Sequence, residues 1–177
     1  MPSAFGDLLI VWRKNGIKTK VYRIYLPREG RPQSATMEKT YGGLKHASCL
    51  EITNLGKQIQ LFLKGVDVYF HLDNVALEVC SAFQQKVLIA EHQIPRGWVS
   101  TYGRIARYLE IPSGARAISN ALAHNPFPII IPCHRAITSQ GKLGGFQGGL
   151  EMKRALLKQE GIGFSLSGKV ITNKIYY

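Results

Sequence analysis

The chain has 177 residues, 45% of them hydrophobic, and its 23 Lys+Arg against 11 Asp+Glu give a formal charge of +12. That length suits one domain or two small ones, and a basic excess spread along the whole chain suits either a folded protein facing a polyanion, most simply nucleic acid, or a basic protein kept soluble by its charge. The three cysteines, Cys49, Cys80 and Cys133, do not make a paired secreted framework, no Cys/His cluster has metal-ligand spacing, and the apolar start Leu8–Trp12 is too short for a membrane span and lacks a signal-peptide layout, so a reducing, cytoplasmic setting is expected.

The apolar runs Leu8–Trp12 and Val21–Leu26 flank Asn15-Gly16, which predicts a β-hairpin. Pro27–Gly43 is rich in Pro, Gly and charge and reads as loop. Cys49–Lys64 carries Leu50, Leu55, Ile59, Phe62 and Leu63 at helical spacing, broken by Gly56, and Val66–Leu72 reads as a short extended segment. In Leu77–His92, Val79, Phe83, Val87 and Ala90 form one helical stripe, and Pro95-Arg96-Gly97 is a turn. Ser100 or Thr101 can cap a helix containing Ile105, Ala106 and Leu109, and Pro112-Ser113-Gly114 breaks it before a second helix over Ala115–Ala123. Two short helices around a tight turn predict a helix-turn-helix. The outer side of the second would show Arg116, Ser119, Asn120 and Ala123, small residues better suited to close approach than to reading a major groove. Ala136–Phe146, with Gly141, Gly144 and Gly145, reads as a hairpin or wing. Gly148–Glu160 is a final helix stopped by Gly161, and Lys169–Tyr177 can add a strand.

Pro132-Cys133-His134-Arg135 carries the chemistry. A thiol becomes a nucleophile when a neighbour takes its proton, and imidazole is the usual neighbour. The approach Asn125-Pro126-Phe127-Pro128-Ile129-Ile130-Ile131 is stiffened by prolines, which fix their own φ and constrain the preceding residue. A rigid loop that delivers a thiol to one point has the character of a site.

Taken in order, Pro95-Arg96-Gly97, Thr101-Tyr102-Gly103, Ala115-Arg116-Ala117-Ile118, Asn125-Pro126-Phe127-Pro128, Ile131-Pro132-Cys133-His134-Arg135 and Gly148-Gly149-Leu150 resemble the O6-alkylguanine-DNA alkyltransferases, the methylated-DNA–protein-cysteine methyltransferases. The resemblance runs from about Leu77 to Gly163. It implies an α+β fold: a small N-terminal sheet-and-helix support domain over 1–74, a C-terminal winged helix-turn-helix domain over 75–165, and a tail over 166–177. It also implies direct-reversal DNA repair by a monomer without cofactor or metal, acting from the minor groove of double-stranded DNA. The lesion, an O6-alkylguanine, would be flipped out of the duplex, because its O6 substituent is inaccessible within the stack. Cys133 would take the alkyl group irreversibly, in a single turnover. By the same resemblance, His134 would receive the thiol proton through a water and Glu160 would orient His134, with an imidazolium offsetting the cost of a carboxylate at a helix C-terminus. Asn125 would tie the recognition helix to the active-site turn. Tyr102 would donate to the guanine ring nitrogen. Arg116 would replace the flipped base, with Ala117, Ser119 and Thr101 also on the DNA side. The carbonyls of Cys133 and Ala136 would accept from the guanine amino group, and Phe146 and Gln147 would line the pocket, the amide of Gln147 facing O6. Arg135 reads as a structural ion-pair partner, and Cys49 and Cys80 as inert buried thiols.

The chain departs from the family pattern at Ala136, where Val is usual, at Ser119, where Gly is usual, and at Phe146-Gln147, where Tyr-Ser is commoner. The rival readings are a lesion-binding module that transfers nothing and a cysteine hydrolase with a Cys-His-Glu set.

Overall fold

The structure is a computed structural model and describes residues 1–16, 18–27 and 45–177. Most of the expected 27–43 loop lies outside the described residues. The expected hairpin forms: β1 (Leu9–Asn15) pairs antiparallel with β2 (Lys18–Tyr25), Asn15 opposite Lys18, with a register shift at Val11/Trp12. Gly16, in the turn, has φ +59, a conformation that a side chain disfavours. Val21, Ile24 and the following Leu26 are buried, so the strand puts its branched apolar side chains into the core.

Helix α1 (Leu50–Leu63) is continuous through Gly56. Gly56 is a packing site, since a Cβ there would overlap the Met1 side chain. The buried face is Ile52, Gly56, Ile59, Phe62 and Leu63, whereas Leu50, expected inside, is 73% exposed. No strand forms over 66–72; the extended pairing beside β2 comes from Val75 instead.

The stripe expected over Leu77–His92 divides in two. Leu77–Val79 is a 3₁₀ turn, and α2 (Ala82–His92) starts after Ser81, whose hydroxyl accepts from Gln84 N at 3.2 Å. Val79 and Phe83 are 48% and 39% exposed, and the buried face is Val87, Leu88, Ala90 and Glu91. A serine cap outcompetes the apolar period because it satisfies an orphan N–H at the helix start.

The helix-turn-helix is present. β3 (Ser100–Thr101) leads into α3 (Tyr102–Tyr108), capped by the Thr101 hydroxyl, and α4 (Ala115–Ala123) follows. A second 3₁₀ turn, Cys133–Arg135, runs into β4 (Ala136–Ile137), which pairs in parallel with β3. Residues 136–146 do not make a two-stranded hairpin. Thr138 N donates to Lys142 O at 2.9 Å to close a turn there, and the hairpin comes after α5 (Gly149–Gln159), as β5 (Gly163–Phe164) with β6 (Val170–Ile171). The C-terminal segment also pairs beside Val99, with Val99 N donating to Lys174 O and Tyr176 N to Val99 O. One cluster of buried side chains includes Leu8, Ile24 and Ile59 as well as Ile118, Phe127 and Ile131. Among the described residues no helix is long and apolar enough to cross a membrane.

The turn between α3 and α4 has no spare room. A Cβ on Gly114 would lie 2.6 Å from Ile111 Cγ2 and 2.9 Å from Ile111 O. Gly114→Ala is therefore expected to destabilise the protein by about 1–3 kcal/mol, and Gly114 is also the N-cap of α4, where alanine is the poorer residue. Thermal and denaturant melts measure it; an unchanged or raised midpoint would show that the turn relaxes freely.

Candidate active site

Between α4 and the thiol, the chain forms a tight, buried loop. Asn125 closes it from inside: its Nδ2 donates to Ile131 O at 3.1 Å and its Oδ1 accepts from Phe127 N at 2.9 Å. Ile131 N reaches back to Phe127 O, and Cys133 N donates to Ile131 O at 2.8 Å. Ile129 sits at φ +75 while almost fully buried. A β-branched residue there is strained by about 1–3 kcal/mol, so the surrounding contacts must fix the backbone. Part of that support comes from the hairpin, where Ile24 N donates to Pro126 O at 2.8 Å.

The loop delivers Cys133 to the 3₁₀ turn, 7% exposed, with His134 fully buried beside it. His134 Nε2 lies 2.9 Å from Glu160 Oε1. The same carboxylate receives Arg135 Nε at 2.9 Å and Nη2 at 2.8 Å, and Gly97 N at 3.3 Å. Arg135 Nη1 donates to Ile94 O at 2.7 Å. Burial alone would raise the Glu160 pKa, but the hydrogen bonds from His134 and Arg135 and the Arg135 charge outweigh it and hold the group down at about 2. Glu160 is therefore an ionised, acceptor-only group. His134 is pushed below its ordinary value, first by burial, with the bond to Glu160 opposing and the charges of Arg135 and Lys153 adding to the fall. A neutral imidazole that bonds a carboxylate through Nε2 carries its proton there. Its Nδ1 is then a bare lone pair, buried and without a hydrogen-bond partner among the described residues. Phe62 and Phe146 meet the ring edge-on, with centroids at 5.8 and 6.2 Å.

The positive partner of Glu160 is thus Arg135. The imidazolium expected at this helix end is replaced by a guanidinium, which cannot lose its proton. Burial pushes the Cys133 thiol up to about 11; Asn125 and Lys153 pull it down and the charge of Glu91 pushes it further up. At rest the site holds a protonated thiol and a neutral imidazole.

Tyr102 is buried at the start of α3, its phenol raised to about 12, mainly by burial and then by Glu91. Gly144, at φ +69, lets the backbone close over it, since a Cβ there would overlap the hydroxyl. Ala136 is buried, and its carbonyl already accepts from Lys153 Nζ at 2.7 Å. Phe146 is half-buried against His134. The side chain of Gln147 turns toward the first half of the chain, its Oε1 accepting from Leu26 N at 2.8 Å, which leaves its main-chain N–H as the amide that can face a ligand. Arg116 and Ala117 are exposed on α4, Ser119 is half-buried, and Thr101 is occupied in capping α3. Cys80 is buried as expected, but Cys49 is half-exposed.

Sequence reasoning missed three contributors. Arg96 joins two helix ends, donating to Gly65 O at 2.7 Å after α1 and to Gln159 O at 3.1 Å in α5. Cations belong at helix C-termini, and here one cation serves two. Lys153 and Glu91 lie fully buried in the core. Their signal was register: Lys153 falls on the stripe of Met152, Leu156 and Leu157, and Glu91 on that of Val87 and Ala90.

Residues 82–162 match the family model of the 6-O-methylguanine DNA methyltransferase DNA binding domain. A methylated-DNA–protein-cysteine methyltransferase of Methanothermobacter thermautotrophicus is 40% identical over 163 residues, covering 92% of this chain and 83% of the relative. One of Mycobacterium tuberculosis is 50% identical over 78 residues, 44% of this chain and 47% of the relative. The crystal structure of Mycobacterium tuberculosis OGT in complex with DNA superposes with a TM-score of 0.67 at 28% identity, covering 90% of this chain and 89% of that one.

Arg135→Leu should remove the charge that compensates Glu160 and cost about 3–5 kcal/mol, as breaking a buried ion pair does. The sign with pH follows from the depressed carboxyl: stability contributed by Glu160 is present above the ordinary 4.5 and lost as pH falls toward about 2. Denaturant titrations from neutral to acid pH test both. A loss within about 0.5 kcal/mol would mean that His134 alone satisfies the carboxylate.

Proposed function

The chain belongs to the methylated-DNA–protein-cysteine methyltransferase family, and we propose that it repairs O6-alkylguanine in double-stranded DNA by moving the alkyl group to Cys133 Sγ, once per molecule. Membership makes it a DNA-binding methyltransferase of DNA repair. The observation that carries the residue assignment is the bare, buried Nδ1 of His134, the residue that follows the buried Cys133, its tautomer set by a carboxylate that Arg135 keeps ionised.

In this reading the thiol proton passes through a bridging water to Nδ1, and the imidazolium that forms is held by Glu160. The sulfur lone pair makes a bond to the alkyl carbon while that carbon's bond to O6 breaks. The electrons go to the guanine, and Tyr102 donates a proton to the ring nitrogen as charge develops there. The raised phenol suits a donor that keeps its proton until then. The product is a thioether, which thiol exchange does not reverse, so each chain reacts once. A buried thiol can reach its target only if the base leaves the stack. The exposed Arg116 on α4 is placed to fill the gap, and the small side chains around it favour a close approach in the minor groove. The formal charge of +12 supplies salt-sensitive affinity that is independent of sequence.

Incubation with a duplex containing O6-methylguanine should replace one hydrogen by one methyl group on the Cys133 peptide, seen by mass. Cys133→Ala should lose the transfer and keep the DNA affinity. Arg116→Ala should slow transfer by roughly tenfold or more, about 1.4 kcal/mol of lost support for the extruded base, with a smaller effect on undamaged duplex. Methylation at another residue, or transfer by Cys133→Ala, would refute the assignment.

A further inference from the structure

The segment that closes over the thiol site is tied down by a side chain that the reaction itself does not use. Residues 142–146 form neither helix nor strand, and among the described residues no main-chain N–H from Gly144 to Gly148 donates a hydrogen bond. Yet this lip sits on the reacting groups. A Cβ on Gly144 would overlap the Tyr102 hydroxyl, and Phe146 meets the His134 ring edge-on at 6.2 Å. What holds the lip comes from its flanks. On one side is α5: Lys153 Nζ donates to Gly145 O at 3.3 Å, Gly149 N donates to Phe146 O at 3.1 Å, and a Cβ on Gly148 would overlap the Met152 side chain. On the other side is the first half of the chain. Gln147 Oε1 accepts from Leu26 N at 2.8 Å, and a Cβ on Gly148 would lie 3.4 Å from Leu26 Cδ1. Leu26 is buried just past β2, and a buried N–H left without an acceptor is costly.

The opposite wall of the site yields less readily. The approach to Cys133 is fixed by both bonds of Asn125, by Ile131 N to Phe127 O and by Ile24 N to Pro126 O. Cys133 is 7% exposed and His134 fully buried, so a group much bulkier than methyl that arrives at the sulfur needs a wall to move. The lip has no ladder of its own and is the wall that moves. Lifting it pulls Gln147 away from a main-chain N–H 121 residues distant in sequence.

We propose that Gln147 is a specificity-determining positioning residue: its side chain pins the lip to Leu26 and so limits the size of the group that reaches Cys133 Sγ. On the reading of Cys133 as the alkyl acceptor, on which this part rests, the pin restricts transfer to small O6-alkyl groups, methyl over benzyl. The bonds made and broken in the transfer are those given above; only the room for the substituent on the migrating carbon differs. The main-chain N–H of Gln147 keeps its part toward the ligand, and the side chain fixes where that N–H stands.

The test compares the unmodified protein with Gln147→Met, of similar length but without the acceptor, and with Gln147→Glu, which keeps an acceptor in the same place. Each is given a small and a bulky reagent in two settings. One pair is duplex DNA containing O6-methylguanine or O6-benzylguanine. The other, without DNA, is iodoacetamide or its N-benzyl derivative, read on the Cys133 peptide because Cys49 and Cys80 also carry thiols. In both pairs the ratio of bulky to small rate should rise by roughly three- to tenfold in Gln147→Met, the worth of one hydrogen bond, and stay within about twofold of the unmodified protein in Gln147→Glu. A ratio cancels any change in the thiol or in DNA affinity that acts on both reagents alike. An iodoacetamide ratio that is unchanged in Gln147→Met, or raised equally in Gln147→Glu, overturns the proposal. A raised iodoacetamide ratio with no alkyl group on Cys133 from either DNA would uphold the lip as the size limit and refute Cys133 as the acceptor. Should Gln147→Met fail to fold, Gln147→Ser, too short to reach Leu26 but leaving room for water at its N–H, is given the same two pairs and judged by the same ratio.

Discussion

One carboxylate organises the site. Glu160 stands at the end of α5 and binds Arg135 through two nitrogens, His134 through one, and the Gly97 main chain. Each bond does something different. Arg135 keeps the carboxylate ionised under burial. The ionised carboxylate accepts only, so it fixes which imidazole nitrogen carries the proton. Gly97 ties the turn before β3 to the same point. Without the guanidinium, a buried carboxylate would draw a second proton onto His134 and leave no base for the thiol. Buried ion pairs are poor sources of net stability, and this one is better understood as a device for holding one protonation state.

The thiol turn is held with equal care from the other side. Asn125 bonds across the loop, prolines restrict it, and Ile129 is kept in a backbone region that isoleucine avoids. The first half of the chain takes part in this. Ile24 bonds to Pro126, Leu26 to the Gln147 side chain, Phe62 packs on His134, and Arg96 joins the ends of α1 and α5. Support is thus delivered at particular atoms of the site.

Much of this was legible in the sequence because local signals agreed. Asn-Gly between apolar runs specified the hairpin, Thr101 capped α3, and the Asn-Pro approach marked the thiol turn. Where two local signals competed, the reading failed. The period over Leu77–His92 ran through Ser81, and the cap won. Gly56 looked like a helix break, yet it is the contact surface for Met1, which lies far outside any local pattern. Three glycines suggested a hairpin at 136–146, but Gly144 serves the close approach to Tyr102 instead. Arg135 was read as a structural ion-pair partner, but its partner Glu160 lies 25 residues on, and nothing local identifies it. Gln147 was assigned to the pocket from its place in the motif; its side chain bonds the main-chain N–H of Leu26, just past β2, which leaves its main-chain amide for that part.

The central claim is that the resting site holds a neutral imidazole with its proton on Nε2, so that Nδ1 can accept from Cys133. Nitrogen-15 NMR of His134 in the unreacted protein tests it most directly. The account predicts a protonated Nε2 and a bare Nδ1 at neutral pH, with no titration as the pH passes down through the ordinary 6.5 of histidine. An imidazolium at neutral pH, or a neutral ring protonated at Nδ1, would contradict it.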